Sequence, residues 1–173
     1  MKLLSAFFAM LLLAGSTAAG LDLAASPAAS VDAMAAWSAA ASSGPVDDML
    51  PSGYRNPRTS EQAVAWALSQ VGVTRDNGFC LRFVDLAFGR GSGPASAYLV
   101  WTGSPDRLHH TGLPPRGALV VWSNAIGRGH GHIAISLGDG RMVSTTSGPV
   151  SILPIKGFAD SAYYGWMPPY FYV

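Results

Sequence analysis

The sequence predicts an α+β fold with one folded domain. Helical apolar spacing is concentrated between residues 59 and 88, and compact or alternating apolar runs dominate from residue 118 onward. The Gly138-Asp139-Gly140 turn joins two of those later runs as a hairpin. Helices first and antiparallel strands afterwards is the order expected of an α+β domain.

The first helix opens at Thr59, because Thr59 and Gln62 have the spacing of a capping box. Ala63, Trp66, Ala67 and Val71 then form a stripe at helical spacing, and Gly72 supplies a stop. Asp76-Asn77-Gly78 is a second start signal, leading into the segment from Phe79 to Phe88. Cys80, Phe83, Val84 and Ala87 share one face of that helix, and Gly89 ends it. Cys80 therefore sits in the first turn. Gly91 to Pro94 reads as a loop and Ser96 to Trp101 as a third, short helix.

Pro114-Pro115-Arg116-Gly117 turns the chain into a strand over Ala118 to Trp122. Ile133 to Leu137 alternates, and Arg141 to Thr146 returns beyond the hairpin turn. Val150 to Ile152 and the segment from Tyr163 to Tyr172 are further strand candidates.

Composition narrows the function classes. Of 173 residues, 12% are charged and 49% hydrophobic, against a usual charged share of about 25%. Eleven basic and ten acidic side chains leave a formal net charge of +1. A nucleic-acid binder needs a basic excess to neutralise phosphates, so that class is excluded. The single cysteine excludes an intrachain disulfide scaffold.

Residues 1–19 read as a secretory signal peptide. Lys2 supplies the charge, Leu3 to Ala14 the apolar run, and Thr17-Ala18-Ala19 the small-residue end. The run is short for a membrane span of about 20 residues, so no integral span is expected after processing. Residues 20–58 are rich in Ala, Ser and Pro and read as a linker or loose arm, with a short helix over Val31 to Ala41 the one candidate element. The domain is expected over 59–173.

A lone cysteine is most often a small buried hydrophobe. At a helix start, however, unpaired N–H groups and the helix dipole stabilise a thiolate, the nucleophilic form. The available bases are His109, His110, His130 and His132. His132 opens an alternating strand after a Gly-rich stretch and is the best placed to meet a helix end. His109 and His110 suit a structural role, and His130 a loop surface. A zinc site built on His130, His132 and Cys80 lacks both a zincin motif and a second cysteine. No metal or cofactor is expected.

The segments Gly78-Phe79-Cys80, Pro115-Arg116-Gly117-Ala118-Leu119-Val120-Val121-Trp122 and Gly131-His132-Ile133-Ala134-Ile135-Ser136-Leu137-Gly138-Asp139-Gly140, in that order after Ala63 to Gly72, resemble the NlpC-type cysteine peptidases of bacterial cell walls. The resemblance spans residues 59 to 173 and implies a circularly permuted papain-like fold. This chain has Phe79-Cys80-Leu81-Arg82 where the family usually has Asp-Cys-Ser-Gly, and Gly117-Ala118 where it usually has Gly-Asp, so it resembles a divergent branch. The implied activity is an exported cysteine hydrolase that cuts peptide or amide bonds in the peptidoglycan stem peptide, as an endopeptidase or an amidase. Cys80 would attack the carbonyl and His132 would move the proton. The implied partner is peptidoglycan or its muropeptides, the implied location the cell envelope or the exterior, and a monomer suffices. Trp101, Trp122 and Trp166, with Tyr98, are candidates to wall a substrate groove. The competing readings are a catalytically inactive relative that binds wall peptides or a partner protein, and an acyltransferase on the same fold.

A papain-like histidine needs a partner for its ring. In the resembling family this is commonly a histidine on the return strand, twelve residues on; here that position is Ser144. With a three-residue turn, Leu137 pairs with Arg141 and Ala134 with Ser144, so His132, Ala134, Met142, Ser144 and Thr146 share one face. Ser144 is the first candidate orienting residue, Thr146 the second and a backbone carbonyl the third.

Overall fold

The structure is a computed structural model that describes residues 46–74 and 78–172. Residues 1–19, expected to be a signal peptide, the candidate helix at Val31 to Ala41, and Asp76 and Asn77 lie outside the described residues.

Three helices, α1 (Ser60–Ser69), α2 (Cys80–Ala87) and α3 (Ala97–Thr102), precede five strands. These are β1 (Leu119–Trp122), β2 (His132–Ser136), β3 (Arg141–Ser144), β4 (Ser151–Pro154) and β5 (Tyr163–Met167). The sheet is antiparallel, in the order β4-β3-β2-β1-β5. The α+β architecture is the one expected.

Local signals account for the helix boundaries. Thr59 and Gln62 form the full capping box of α1: Gln62 N–H donates to Thr59 Oγ1 (3.3 Å) and Thr59 N–H to Gln62 Oε1 (3.0 Å). Ser96 caps α3 by accepting from Leu99 N–H at 3.2 Å. Gly89, at φ 75°, closes α2 in a left-handed conformation that residues with a Cβ disfavour.

The sheet separates two apolar layers. Ile133, Ile135 and Val143 pack with Val64, Phe83, Val84 and Phe88 of the helical side. Val120, Trp122, Ala134 and Met142 form the second cluster on the other face. This division follows from the hairpin register. Ile135 pairs with Val143 and Ser136 with Met142, and Leu137 N–H donates to Arg141 O at 2.9 Å.

The folded unit begins earlier than the expected boundary at Thr59. Val46 is fully buried against Ala118 and Trp166. Asp47 Oδ2 accepts from Ser60 N–H (2.9 Å) and Ser60 Oγ (2.7 Å). Tyr54 bridges the far end of the chain: its hydroxyl donates to Phe171 O at 3.1 Å and accepts from Phe171 N–H at 2.9 Å. Asn56 Nδ2 donates to Pro169 O (2.6 Å), and Arg58 Nη1 to Leu86 O (2.6 Å). Residues 46–58 are thus held by polar side chains reaching backbone atoms. Such anchoring leaves no apolar periodicity for a sequence reading to detect.

Candidate active site

Cys80 is the first residue of α2, and α2 packs on β2. The first helical bond is Phe83 N–H to Phe79 O at 3.0 Å, so the N–H groups of Cys80, Leu81 and Arg82 lie ahead of the intrahelical ladder. Burial pushes the Cys80 thiol above its ordinary pKa, opposed by backbone N–H groups of Ile133, Leu81 and Cys80 itself. The helix start was expected to favour thiolate. Desolvation outweighs it here.

The influence of the Ile133 N–H puts the sulfur near the start of β2, where His132 precedes Ile133. His132 is 8% exposed, and burial holds its pKa down at about 4. Its ring lies between Trp122 and Phe158, with centroids 5.5 and 4.9 Å away. Ser144 Oγ is 3.0 Å from His132 Nε2 and 3.1 Å from the carbonyl oxygen of Ile133. A carbonyl can only accept, so the arrangement satisfying both contacts sends the hydroxyl proton to Ile133 O and the Nε2 proton to Ser144 Oγ. That tautomer leaves Nδ1 with its lone pair free to act as a base.

Cys80 and His132 line one cleft of about 1010 Å³, at the upper end of the range for small-molecule sites. Its walls include Phe79, Leu81 and Arg82 from the Cys80 segment. Ile126, Arg128 and His130 come from the loop before β2, and Phe158 from beyond β4. Thr146, the second candidate for orienting the ring, meets the Cys80 segment through its backbone. Its carbonyl accepts Gly78 N–H at 2.6 Å, tying the segment before Cys80 to the end of β3.

None of Trp101, Trp122 or Trp166 lines this cleft, so the expected aromatic groove wall is corrected. Packing and hydrogen bonding consume each ring. Trp122 is fully buried beneath the sheet. Trp166 is 8% exposed, stacks on His110 and donates to Thr111 O at 3.1 Å. Trp101 is sandwiched by His109 (3.9 Å) and Tyr164 (5.4 Å). Tyr98 contributes backbone, its N–H donating to His130 O at 2.9 Å. His109 is bound to Ser104 Oγ at 2.8 Å and lies outside the cleft.

Several cleft residues escaped the sequence reading. Phe79 is 66% exposed beside the thiol, whereas Phe83 and Phe88 are buried. Asp85, on the same helix as Cys80, is 6% exposed and faces Arg90, with 3.4 Å between Oδ1 and Nε. Burial pushes the Asp85 carboxyl up to about 6, partly offset by Arg90. Gly93 leaves the room this carboxylate occupies, since a Cβ there would meet Asp85 Oδ1 at 2.7 Å. Arg128 has a φ of 55°, a conformation that costs an ordinary residue about 1–2 kcal/mol. No cluster of three or more metal-ligating side chains occurs among the described residues.

No family model and no curated protein matches the chain. Solved structures do. The chain is similar to the P60 domain of antigen MAP1204 from M. avium subspecies paratuberculosis, at 18% identity and a TM-score of 0.48, over 63% of this chain and 92% of that one. It is similar to the peptidoglycan hydrolase RipB from Mycobacterium tuberculosis at 18% identity and a TM-score of 0.47, over 86% and 88% of the two chains. The resuscitation promoting factor interacting protein RipA is similar at 19% identity and a TM-score of 0.44, over 66% of this chain and 63% of that one. These are likenesses of fold. No helix among the described residues is long and apolar enough to cross a membrane.

Proposed function

We propose that this chain is an exported cysteine hydrolase that cleaves peptide or amide bonds in the peptidoglycan stem peptide, with residues 1–19 as its export signal. One observation carries the reading. A single thiol at a helix start shares a cleft with a histidine whose outer nitrogen is already held by a hydroxyl. The motif resemblance supplies the substrate class.

In this mechanism the Cys80 thiol and the His132 imidazole both start neutral. As Sγ attacks the substrate carbonyl, its proton passes to His132 Nδ1, and the imidazolium then protonates the leaving amine. Ser144 holds the ring through Nε2. The N–H groups at the start of α2 are the donors nearest the developing oxyanion. Water then resolves the thioester, with His132 as its base. No carboxylate touches His132 among the described residues, so the imidazolium receives only a hydroxyl's support.

That same observation favours a second reading, a wall-peptide binder without turnover. Incubation of the purified protein with muropeptides, followed by mass analysis of the products, separates the two. A mass change at one stem-peptide bond supports hydrolysis, whereas binding without new products supports the second reading.

A further inference from the structure

Phe79 breaks two local rules at once. It occupies the N-cap of α2, at φ −104° and ψ 61°, and its side chain makes no capping hydrogen bond. Ser, Thr, Asp and Asn are the side chains that serve this position, and phenylalanine forfeits their bond. The same ring is 66% exposed, whereas Phe83 and Phe88 further along the chain are 1% and 0% exposed. Phe79 belongs to none of the three apolar clusters among the described residues. The fold gains neither a cap nor core packing from it.

The ring's surroundings are those of a binding surface. Phe79 and Cys80 are adjacent in the chain and line the same cleft. That cleft continues over half-buried hydrocarbon: Leu81 and Leu86 from α2, Ile126 from the loop before β2, and Phe158. The Phe158 and His132 ring centroids are 4.9 Å apart, so the thiol and the imidazole each have a phenylalanine beside them. Local rules broken without return to the fold mark a functional position. An exposed aromatic ring in a largely apolar cleft is suited to take apolar surface from a ligand.

We infer that Phe79 is a specificity-determining residue, its ring forming an apolar subsite for a hydrocarbon side chain on a residue adjoining the bond that Cys80 attacks. A buried hydrocarbon group gains in proportion to the apolar area removed from water, which a capping serine or aspartate at this position could not offer. The inference rests on the hydrolase reading and deepens it by naming the kind of side chain the substrate carries. Its test does not depend on turnover.

Cys80 is the sole cysteine, so thiol labelling reports on this cleft alone. N-methylmaleimide and N-benzylmaleimide add Sγ to the same double bond, whose second carbon takes a proton, and they differ in their hydrocarbon substituent. Both rates are measured on the full chain and on free cysteine, in one buffer at one pH. The folded protein should favour the benzyl reagent by about ten-fold more than free cysteine does, the worth of one apolar contact. Phe79→Ser should remove most of that preference, and Phe79→Leu should keep part of it. Serine restores a capping side chain, so Phe79→Ser should melt no lower than wild type. An equal preference in the protein and in free cysteine would overturn the subsite, as would an unchanged preference in Phe79→Ser. Melting of Phe79→Ser well below wild type would also overturn it, by assigning the ring to the fold. Turnover of muropeptides without the benzyl preference would keep the hydrolase and remove the subsite, and the preference without turnover would do the reverse.

Discussion

Ser144 Oγ stands 3.0 Å from His132 Nε2 and 3.1 Å from Ile133 O, so one hydroxyl fixes both the orientation and the tautomer of the candidate base. A serine here contributes geometry more than charge. A carboxylate would hold the imidazolium electrostatically, and a hydroxyl cannot.

Ser144→Ala should therefore lower kcat by about ten-fold, the worth of one neutral hydrogen bond. His132→Ala should lower it by at least about 100-fold, the usual contribution of a general acid–base group. KM should change little in either variant. Steady-state kinetics on a muropeptide checks both, with equal losses ranking Ser144 higher than this account does.

Two buried groups give the stability an opposed pH response. His132 falls from 6.5 to about 4 on folding, so the unfolded chain binds its proton first. Stability from this group is present above pH 6.5 and declines by about 3 kcal/mol as pH falls to 4. Asp85 rises from 3.8 to about 6, so the folded chain binds that proton first. Its effect has the reverse sign, a stability gain of about 3 kcal/mol as pH falls from 6 to 4. These contributions nearly cancel in the wild type. Asp85→Asn should expose the steep acid loss, and His132→Gln the opposite slope, in urea titrations between pH 4 and 7.

Residues 46–58 should contribute to stability although they carry little apolar surface. Asp47→Ala removes the acceptor for Ser60 N–H and Oγ and should cost about 1–2 kcal/mol. Tyr54→Phe leaves the backbone N–H and C=O of Phe171 without their shared hydroxyl and should cost about 1–3 kcal/mol. Chemical denaturation of each variant checks this. Limited proteolysis should leave residues 46–58 attached to the domain.

Phe79 should act on binding alone. It is 66% exposed beside the thiol, so Phe79→Ala removes apolar surface from the cleft without opening the core. KM should rise by about three- to ten-fold, as lost contact with an aromatic ring implies, while the melting temperature stays near that of wild type. A large drop in melting temperature would place the ring in the fold instead.

The regular elements were legible because their signals are local. The capping box at Thr59, the apolar face of α2, and the three-residue turn that sets the β2–β3 register each lie within a few adjacent residues. That register also puts Ser144 on the face of His132. The tryptophans misled because an aromatic side chain reads alike in a groove wall and in a core. Trp122 went beneath the sheet, Trp166 against Val46, and Trp101 between two rings. Long-range polar anchors such as Tyr54 to Phe171 leave no pattern in sequence, and neither does the left-handed Arg128.

The central claim is that Cys80 is a nucleophile acting on stem peptides, and mass-resolved turnover of muropeptides by wild type and Cys80→Ala tests it most directly. Wild type should release defined fragments of a stem peptide, in EDTA as well as without it, and Cys80→Ala should release none while melting close to wild type. Fragments produced equally by Cys80→Ala, or by neither protein, would contradict the claim.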